Sequence, residues 1–66
     1  MKAKYPEVTV QLVGEDGNVF SVISRVARGL RRFGHADAAV EFEREAFNAD
    51  SYDEVLRLAM SYVEVM

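Results

Sequence analysis

The fold depends on the stretch VTVQLVGEDGNVFSVISRVARGLRRFG, residues 8–34, in which the spacing of the apolar residues changes once. Residues 8–12 alternate between apolar and polar side chains, which predicts a strand with Val8, Val10 and Leu12 towards the core. Further along, the apolar residues recur every three or four positions, which predicts a helix of about four turns. This predicted apolar stripe comprises Phe20, Ile23, Val26, Ala27, Leu30 and Phe33.

The segment between these two elements, residues 14–18 (GEDGN), fits a hairpin turn, an ion or phosphate site, or a helix cap. An Asp-Gly pair between apolar runs is typical of hairpins, but the helical spacing that starts at Phe20 favours a strand-to-helix joint. No lysine follows to bind a phosphate, and the carboxylates are not spaced as in an EF-hand loop. We therefore expect Gly17 to permit the turn, Asn18 to cap the helix and Gly34 to end it.

Two further helices are expected after Gly34, one over about residues 37–47 and one that starts with the capping box formed by Ser51 and Glu54. Residues 62–66 (YVEVM) either end the third helix or form a short strand. The predicted strand at residues 8–12 needs a partner from the C-terminus, from the residues just after the joint, or from a second copy of the chain. The apolar positions of the two later helices are Ala39, Phe42 and Ala46, flanked by Val40 and Phe47, and then Tyr52, Val55, Leu56, Ala59 and Val63.

The composition indicates one small globular domain over residues 1–66, with residues 1–5 frayed. A chain of this length buries only about 60% of its unfolded surface, so its core is marginal. Half of the residues are apolar, and no cysteine is present to form a disulfide or a thiolate metal site. No apolar run is long enough to span a bilayer, and MKAKYPE lacks the apolar segment of a signal peptide. We expect a soluble cytoplasmic α+β domain of one N-terminal strand followed by three helices.

Charge is distributed unevenly along the chain. Residues 1–34 carry six Lys/Arg and three Asp/Glu (+3), whereas residues 35–66 carry two Arg and eight Asp/Glu (−6), giving the net charge of −3. The overall acidity argues against a general nucleic-acid binder, but the first half alone can present a positive surface.

Few residues suit catalysis or metal binding. His35 is the only histidine, and a single histidine in a loop is usually solvated. Glu41 and Glu45 lie one helical turn apart and could share a cation, although such pairs more often form a solvated face. We expect no catalytic residue, no metal, no cofactor and no enzymatic activity, because so short a chain has little volume in which to bury and tune a catalytic pair.

The arginines of the first helix are the strongest candidates for binding. Arg25, Arg28 and Arg32 are spaced so that they line one helical face, with Arg31 nearby. Such a face can bind phosphate or an acidic partner protein. The alternative is a solvated face whose arginines pair with carboxylates of the next helix. Those carboxylates are Glu41, Glu43 and Glu45.

The sequence therefore predicts a non-enzymatic protein-interaction or adaptor domain that contacts an acidic partner through Arg25, Arg28 and Arg32. A homodimer is also expected, since more residues are apolar than one small core needs and an unpaired strand invites pairing with a second copy. The alternative is a DNA-binding regulator of the ribbon-helix-helix type, whose strand would present Thr9 and Gln11 to the bases. The surplus apolar residues are Val13, Val19, Val22, Leu58, Met60, Tyr62 and Met66.

The order of these residues resembles a group of small bacterial and phage-type proteins over nearly the whole chain. Their shared pattern runs V-x-L-x-G-x-D-G-N-x-F, then a basic helix, then Y-D-x-x-L followed by Met and Y/W-V-x-V. No activity is assigned to that group, so the resemblance implies a small domain and no site residues. Residues 47–51 (FNADS) depart from it, since similar proteins often have a Ser/Thr-Gly-Asp turn there. The matching residues are Val10, Leu12, Gly14, Asp16, Gly17, Asn18 and Phe20, and later Tyr52, Asp53, Leu56, Met60, Tyr62, Val63 and Val65.

Overall fold

The computed structural model describes residues 3–12 and 18–66 and confirms an α+β fold with one N-terminal strand followed by three helices. To these it adds a short C-terminal strand. Helix α1 contacts β1, α2 and α3 and lies at the centre of the packing. Within the described ranges, no helix is both long and apolar enough to cross a membrane. The elements are β1 (Tyr5–Val10), α1 (Val19–Arg32), α2 (Ala36–Phe47), α3 (Tyr52–Tyr62) and β2 (Val63–Val65).

The two strands form a parallel two-stranded sheet, which identifies the C-terminus as the partner of β1. Met66 N donates to Val10 O at 2.9 Å and Leu12 N donates to Met66 O at 3.0 Å, so the pairing extends past both strands. The C-terminus was one of the three partners that the sequence left open, and the unpaired strand on which the expected homodimer was based is therefore paired within the chain. The predicted bounds of the strand, residues 8–12, are wrong, because β1 spans Tyr5–Val10. Its register with β2 shifts between Tyr5 and Thr9.

The helix ends follow the sequence closely, because capping is a local interaction. Asn18 Oδ1 accepts from Phe20 N at 2.8 Å, which confirms the predicted cap of α1. Gly34 has a φ of +84°, the left-handed conformation that ends a helix at low cost in glycine. Ser51 Oγ accepts from Glu54 N at 3.2 Å at the start of α3. The predictions for residues 13–17, including the turn role of Gly17, lie outside the described residues.

The buried side of α1 differs from the predicted stripe. Val22 is buried, whereas Phe20 and Phe33 are 65% and 49% exposed, so their assignment to the buried stripe is wrong. The helix packs β1 on one side and α2 on the other, and this rotates its buried face towards Val22. Similar corrections apply to exposed Val40, Phe47 and Tyr52, and to Tyr62, which is fully buried. The core contains Val8, Val10, Val22, Ile23, Val26, Ala27, Leu30, Ala38, Ala39, Phe42, Ala46, Val55, Ala59, Tyr62 and Val63.

Gly29 allows α1 to approach β1 closely. A Cβ atom at this position would lie 3.0 Å from Val10 Cγ2 and 3.3 Å from Val8 Cγ1. The missing side chain thus leaves room for the valines that point from β1 into the core. The same close approach brings the exposed residues of β1 next to the exposed residues of α1.

Candidate interaction surface

The predicted arginine face lies on the solvent side of α1, opposite its buried residues. Arg25, Arg28 and Arg32 are all exposed, and with Gly29 they follow one side of the helix. They line a shallow depression of about 180 Å³ whose other wall is β1. Because α1 is fixed by its packing, the backbone positions of these arginines are fixed as well.

The structure brings the two separately predicted binding elements together. Thr9 and Gln11 are exposed, as the strand alternation predicts, and they line the same depression as the three arginines. The sequence assigned Thr9 and Gln11 to one hypothesis and the arginines to another. Gly29 was the signal that could have linked them, because a glycine within a helix often has a packing reason, and here it admits the side chains of Val8 and Val10 from β1.

The arginines differ in their charge pairing. Arg31 Nη2 lies 2.9 Å from Glu43 Oε1, so this ion pair joins α1 to α2. Within the described ranges, neither Arg28 nor Arg32 forms an ion pair. The alternative of an arginine face neutralised by α2 therefore describes Arg31 and does not extend to Arg28 or Arg32.

Phe20 and Phe47 form an exposed aromatic pair beside this face, which the sequence did not predict. Their ring centroids are 6.1 Å apart with a tilt of 40°. Together with Arg28 and Arg31 they line a second depression of about 480 Å³. Arg28 borders both depressions, so the aromatic pair and the arginine face form one continuous surface. The spacing of apolar residues concealed the pair, because it counted both phenylalanines with the buried sides of their helices.

The carboxylates of Glu41 and Glu45 are held by a tyrosine. The single hydroxyl proton of Tyr62 is shared between two carboxylate oxygens, Glu41 Oε1 at 2.8 Å from Oη and Glu45 Oε1 at 3.0 Å, and Lys4 Nζ lies 3.9 Å from Glu41 Oε1. Burial, and then these two hydrogen bonds, raise the pKa of the Tyr62 phenol well above its ordinary value. No group of three or more His, Asp or Glu side chains suited to a metal occurs among the residues that the structure describes. Through the hydroxyl of Tyr62, the pair joins α2 to the end of α3.

His35 joins the start of α2 to β1. Its Nε2 lies 2.7 Å from Glu7 Oε2, and its ring centroid is 4.3 Å from that of Tyr5. A backbone N–H and then the His35 side chain lower the pKa of the Glu7 carboxyl. These contacts give His35, the only histidine of the sequence, a role in packing and hydrogen bonding. The expectation that it has no catalytic role stays a prediction.

No protein-family model, curated protein or solved structure matches this chain. The resemblance to small bacterial and phage-type proteins therefore stays a prediction.

Proposed function

We propose that this chain is a non-enzymatic interaction domain that binds an acidic partner protein through Arg25, Arg28 and Arg32. The observation that carries the proposal is the exposure and the ion pairing of Arg28 and Arg32. Both are exposed on a packed helix, and neither forms an ion pair within the part of the chain that the structure describes. Guanidinium groups bind carboxylates through two parallel hydrogen bonds, so neighbouring arginines on one face suit an acidic surface.

The test is capture of a partner by the tagged chain and by its charge-reversed variants. We expect Arg28→Glu to weaken the captured complex by about tenfold or more, because it replaces attraction with repulsion at the centre of the contact. The matched control is Arg57→Glu, which reverses an exposed arginine that pairs with Asp53 on α3. The proposal fails if both variants retain the same protein, or if that protein has no acidic contact surface.

The alternative is a DNA-binding regulator, and one observation favours it. Thr9 and Gln11, whose side chains suit base edges, share a depression with arginines that suit phosphates. However, β1 pairs in parallel with β2 of its own chain, whereas a ribbon-helix-helix protein pairs the strands of two chains. A DNA binder should lose affinity for a duplex steeply as salt increases, and Gln11→Ala should relax its sequence preference. The proposed adaptor should bind no duplex at any salt concentration.

Self-association and a cytoplasmic location complete the proposal. Met60 and Met66 are 54% and 64% exposed, before and after β2 in the sequence, and they offer apolar surface to a second copy. A two-stranded sheet also keeps outer edges that another strand can pair with. The cysteine-free sequence is compatible with a reducing compartment. Cell fractionation with the tagged chain would test the location.

A further inference from the structure

Strand β1 uses one edge for β2 and leaves its other edge open. Val10 O accepts from Met66 N at 2.9 Å and Leu12 N donates to Met66 O at 3.0 Å, so these groups face β2. In a parallel pair, the backbone groups of successive residues point to opposite edges of the strand. The N–H and C=O of Gln11 therefore point away from β2, and the same alternation applies to Thr9. Among the described residues, neither backbone group of Gln11 forms a hydrogen bond.

This open edge lies beside the arginine face of α1. Thr9 and Gln11 are exposed, and they line the depression of about 180 Å³ together with Arg25, Arg28 and Arg32. Helix α1 itself cannot pair with the edge, because backbone groups within a helix bond to each other. We call this feature the edge groove and define it by Thr9, Gln11, Arg28 and Arg32. An unpaired edge of this kind is a template for another strand.

The edge groove has an excess of positive charge. Three arginines line the depression, and none of its described lining residues is acidic. Neither Arg28 nor Arg32 forms an ion pair among the residues that the structure describes. Glu7, two residues before Thr9 on β1, is bonded to His35 at 2.7 Å and does not line the depression.

Other nearby carboxylates do not neutralise this charge. Glu43, which lines the adjoining depression with Arg28, pairs with Arg31 at 2.9 Å. Glu64 is the partner of Thr9 in the register with β2, so β1 separates it from the edge that faces α1. An occupant of the edge groove therefore gains from negative charge that the described residues do not supply.

We propose that the edge groove binds an acidic segment of a partner protein in extended form, as a third strand beside β1. The backbone of that segment forms hydrogen bonds with the N–H and C=O groups of Thr9 and Gln11. Every second side chain of a strand points to the same face, so carboxylates at alternate positions face α1 and pair with Arg28 and Arg32. The inference rests on the proposed function, to which it adds the extended form of the partner and its hydrogen bonds to β1.

A nucleic acid and a second copy of the chain fit the edge groove less well. A nucleic acid can place phosphates on the arginines, but its sugar-phosphate backbone does not repeat the alternating donors and acceptors of a strand edge. Pairing of β1 with β1 of a second copy about a two-fold axis would bring the arginines of both copies together, and like charges repel. The outer edge of β2 stays open to a second copy.

The first test is a selection from a displayed library of random peptides of about ten residues, the length of one long strand. The tagged wild-type chain selects binders, and the bare support removes peptides that bind to it. We expect the enriched peptides to carry Asp or Glu at positions i and i+2, with β-branched residues and no proline between them. A selection that enriches no such alternating acidic pattern overturns the inference.

Fluorescence anisotropy with the most enriched peptide then tests the backbone pairing. Its amides fall into two alternating sets, of which one faces β1 in a paired strand. We expect N-methylation of that set to weaken binding by about tenfold or more, and N-methylation of the other set to have little effect. Equal effects of the two sets contradict the strand pairing.

A matched pair of variants tests the same hydrogen bonds from the side of β1. Gln11→Pro removes the N–H that faces the groove, whereas Gln11→Ala keeps it. Proline is tolerated where the N–H of a strand residue points to an open edge, and circular dichroism checks that the variant folds. We expect Gln11→Pro to weaken binding by about fivefold or more and Gln11→Ala by less than about twofold. Equal affinities of the two folded variants overturn the inference, and the N-methylated peptides decide if Gln11→Pro does not fold.

The charge of the occupant is tested with Arg28→Glu, which should weaken binding of the same peptide by about tenfold or more. The matched control Arg57→Glu reverses an exposed arginine on α3 and should leave the affinity unchanged. Binding that is kept with Arg28→Glu and with Arg32→Glu overturns the acidic occupant and with it the proposed function.

Two further outcomes separate this inference from its alternatives. Binding that falls with Arg28→Glu but responds equally to both N-methylated sets overturns the third strand and leaves the arginine face as proposed. Polyuridine that displaces the peptide, or a self-association that Gln11→Pro abolishes, assigns the edge groove to nucleic acid or to a second copy and also overturns the inference.

Discussion

Tyr62 connects three parts of the molecule through one side chain. Its ring lies 5.4 Å from that of Phe42, edge to face, and 6.5 Å from that of Tyr5, while its one hydroxyl proton is shared between the carboxylates of Glu41 and Glu45. The spacing of the apolar residues placed Tyr62 outside the predicted stripes. It did so because α3 passes directly into β2, and the helical spacing is lost at that point.

The hydroxyl of Tyr62 should make stability fall at alkaline pH. A raised pKa means that the folded state holds the phenolic proton more tightly than the unfolded state does. Its contribution is complete below the unfolded pKa of about 10 and decreases as the pH rises towards the folded value. We expect Tyr62→Phe to cost about 1–3 kcal/mol near neutral pH, from the lost hydrogen bonds to carboxylates, and to have a shallower alkaline decrease than the wild type.

Urea unfolding at a series of pH values from neutral to alkaline measures this difference. Tyr52→Phe is the control, because Tyr52 is exposed. We expect the stability of this variant to decrease at alkaline pH in the same way as that of the wild type. If Tyr62→Phe and the wild type lose stability with the same pH dependence, the phenol of Tyr62 does not cause the alkaline decrease.

At the scale of the elements, the helices were predictable to within a residue or two, and so were the centres of their buried faces, whereas the residues at the edges of those faces were not. Asn18, Gly34 and Ser51 act on their own helix ends, so the sequence specifies those ends directly. The buried face of α1 depends on which neighbours flank it, and only the assembled fold places β1 on one side and α2 on the other. Strand β2 was left open as one alternative, because three residues give too little alternation to distinguish a strand from a helix end.

Gly29 controls the distance between α1 and β1. We expect Gly29→Val to lower the free energy of unfolding by about 1–3 kcal/mol, because its side chain would overlap Val10 and Val8 in a packed core. Thermal or urea unfolding measures the change. Ser24→Val is the matched control, since it places the same β-branched residue at an exposed position of the same helix and should change stability by less than about 0.5 kcal/mol.

The same substitution should also affect the candidate site. Moving β1 away from α1 separates Thr9 and Gln11 from the arginines that share their depression. A Gly29→Val variant with wild-type stability would show that the close approach has little energetic weight.

At the scale of the whole molecule, the sequence located half of the candidate surface. The spacing of Arg25, Arg28 and Arg32 indicated a shared face directly, because one helix determines it. The neighbours of that face come from other elements, and no spacing within α1 indicates that Phe47 or Gln11 lies beside it. The uneven charge distribution of the sequence is also found in the fold, because the basic residues are concentrated on α1 and the acidic residues on α2 and α3.

The proposed homodimer is also a property of the whole molecule. A chain of 66 residues buries a limited share of its surface, so some apolar side chains stay exposed on the monomer. A contact between two copies would bury them. We expect the apparent mass in sedimentation equilibrium to rise from 7.4 kDa towards twice that value as the concentration increases. Met60→Glu combined with Met66→Glu should keep the chain monomeric, since charges within an apolar contact are unfavourable. The control Phe33→Glu places a charge at another exposed apolar residue and should leave association intact. A wild-type chain whose apparent mass remains at 7.4 kDa at every concentration contradicts the homodimer. That outcome would agree with β1 being paired within its own chain, where it needs no second copy.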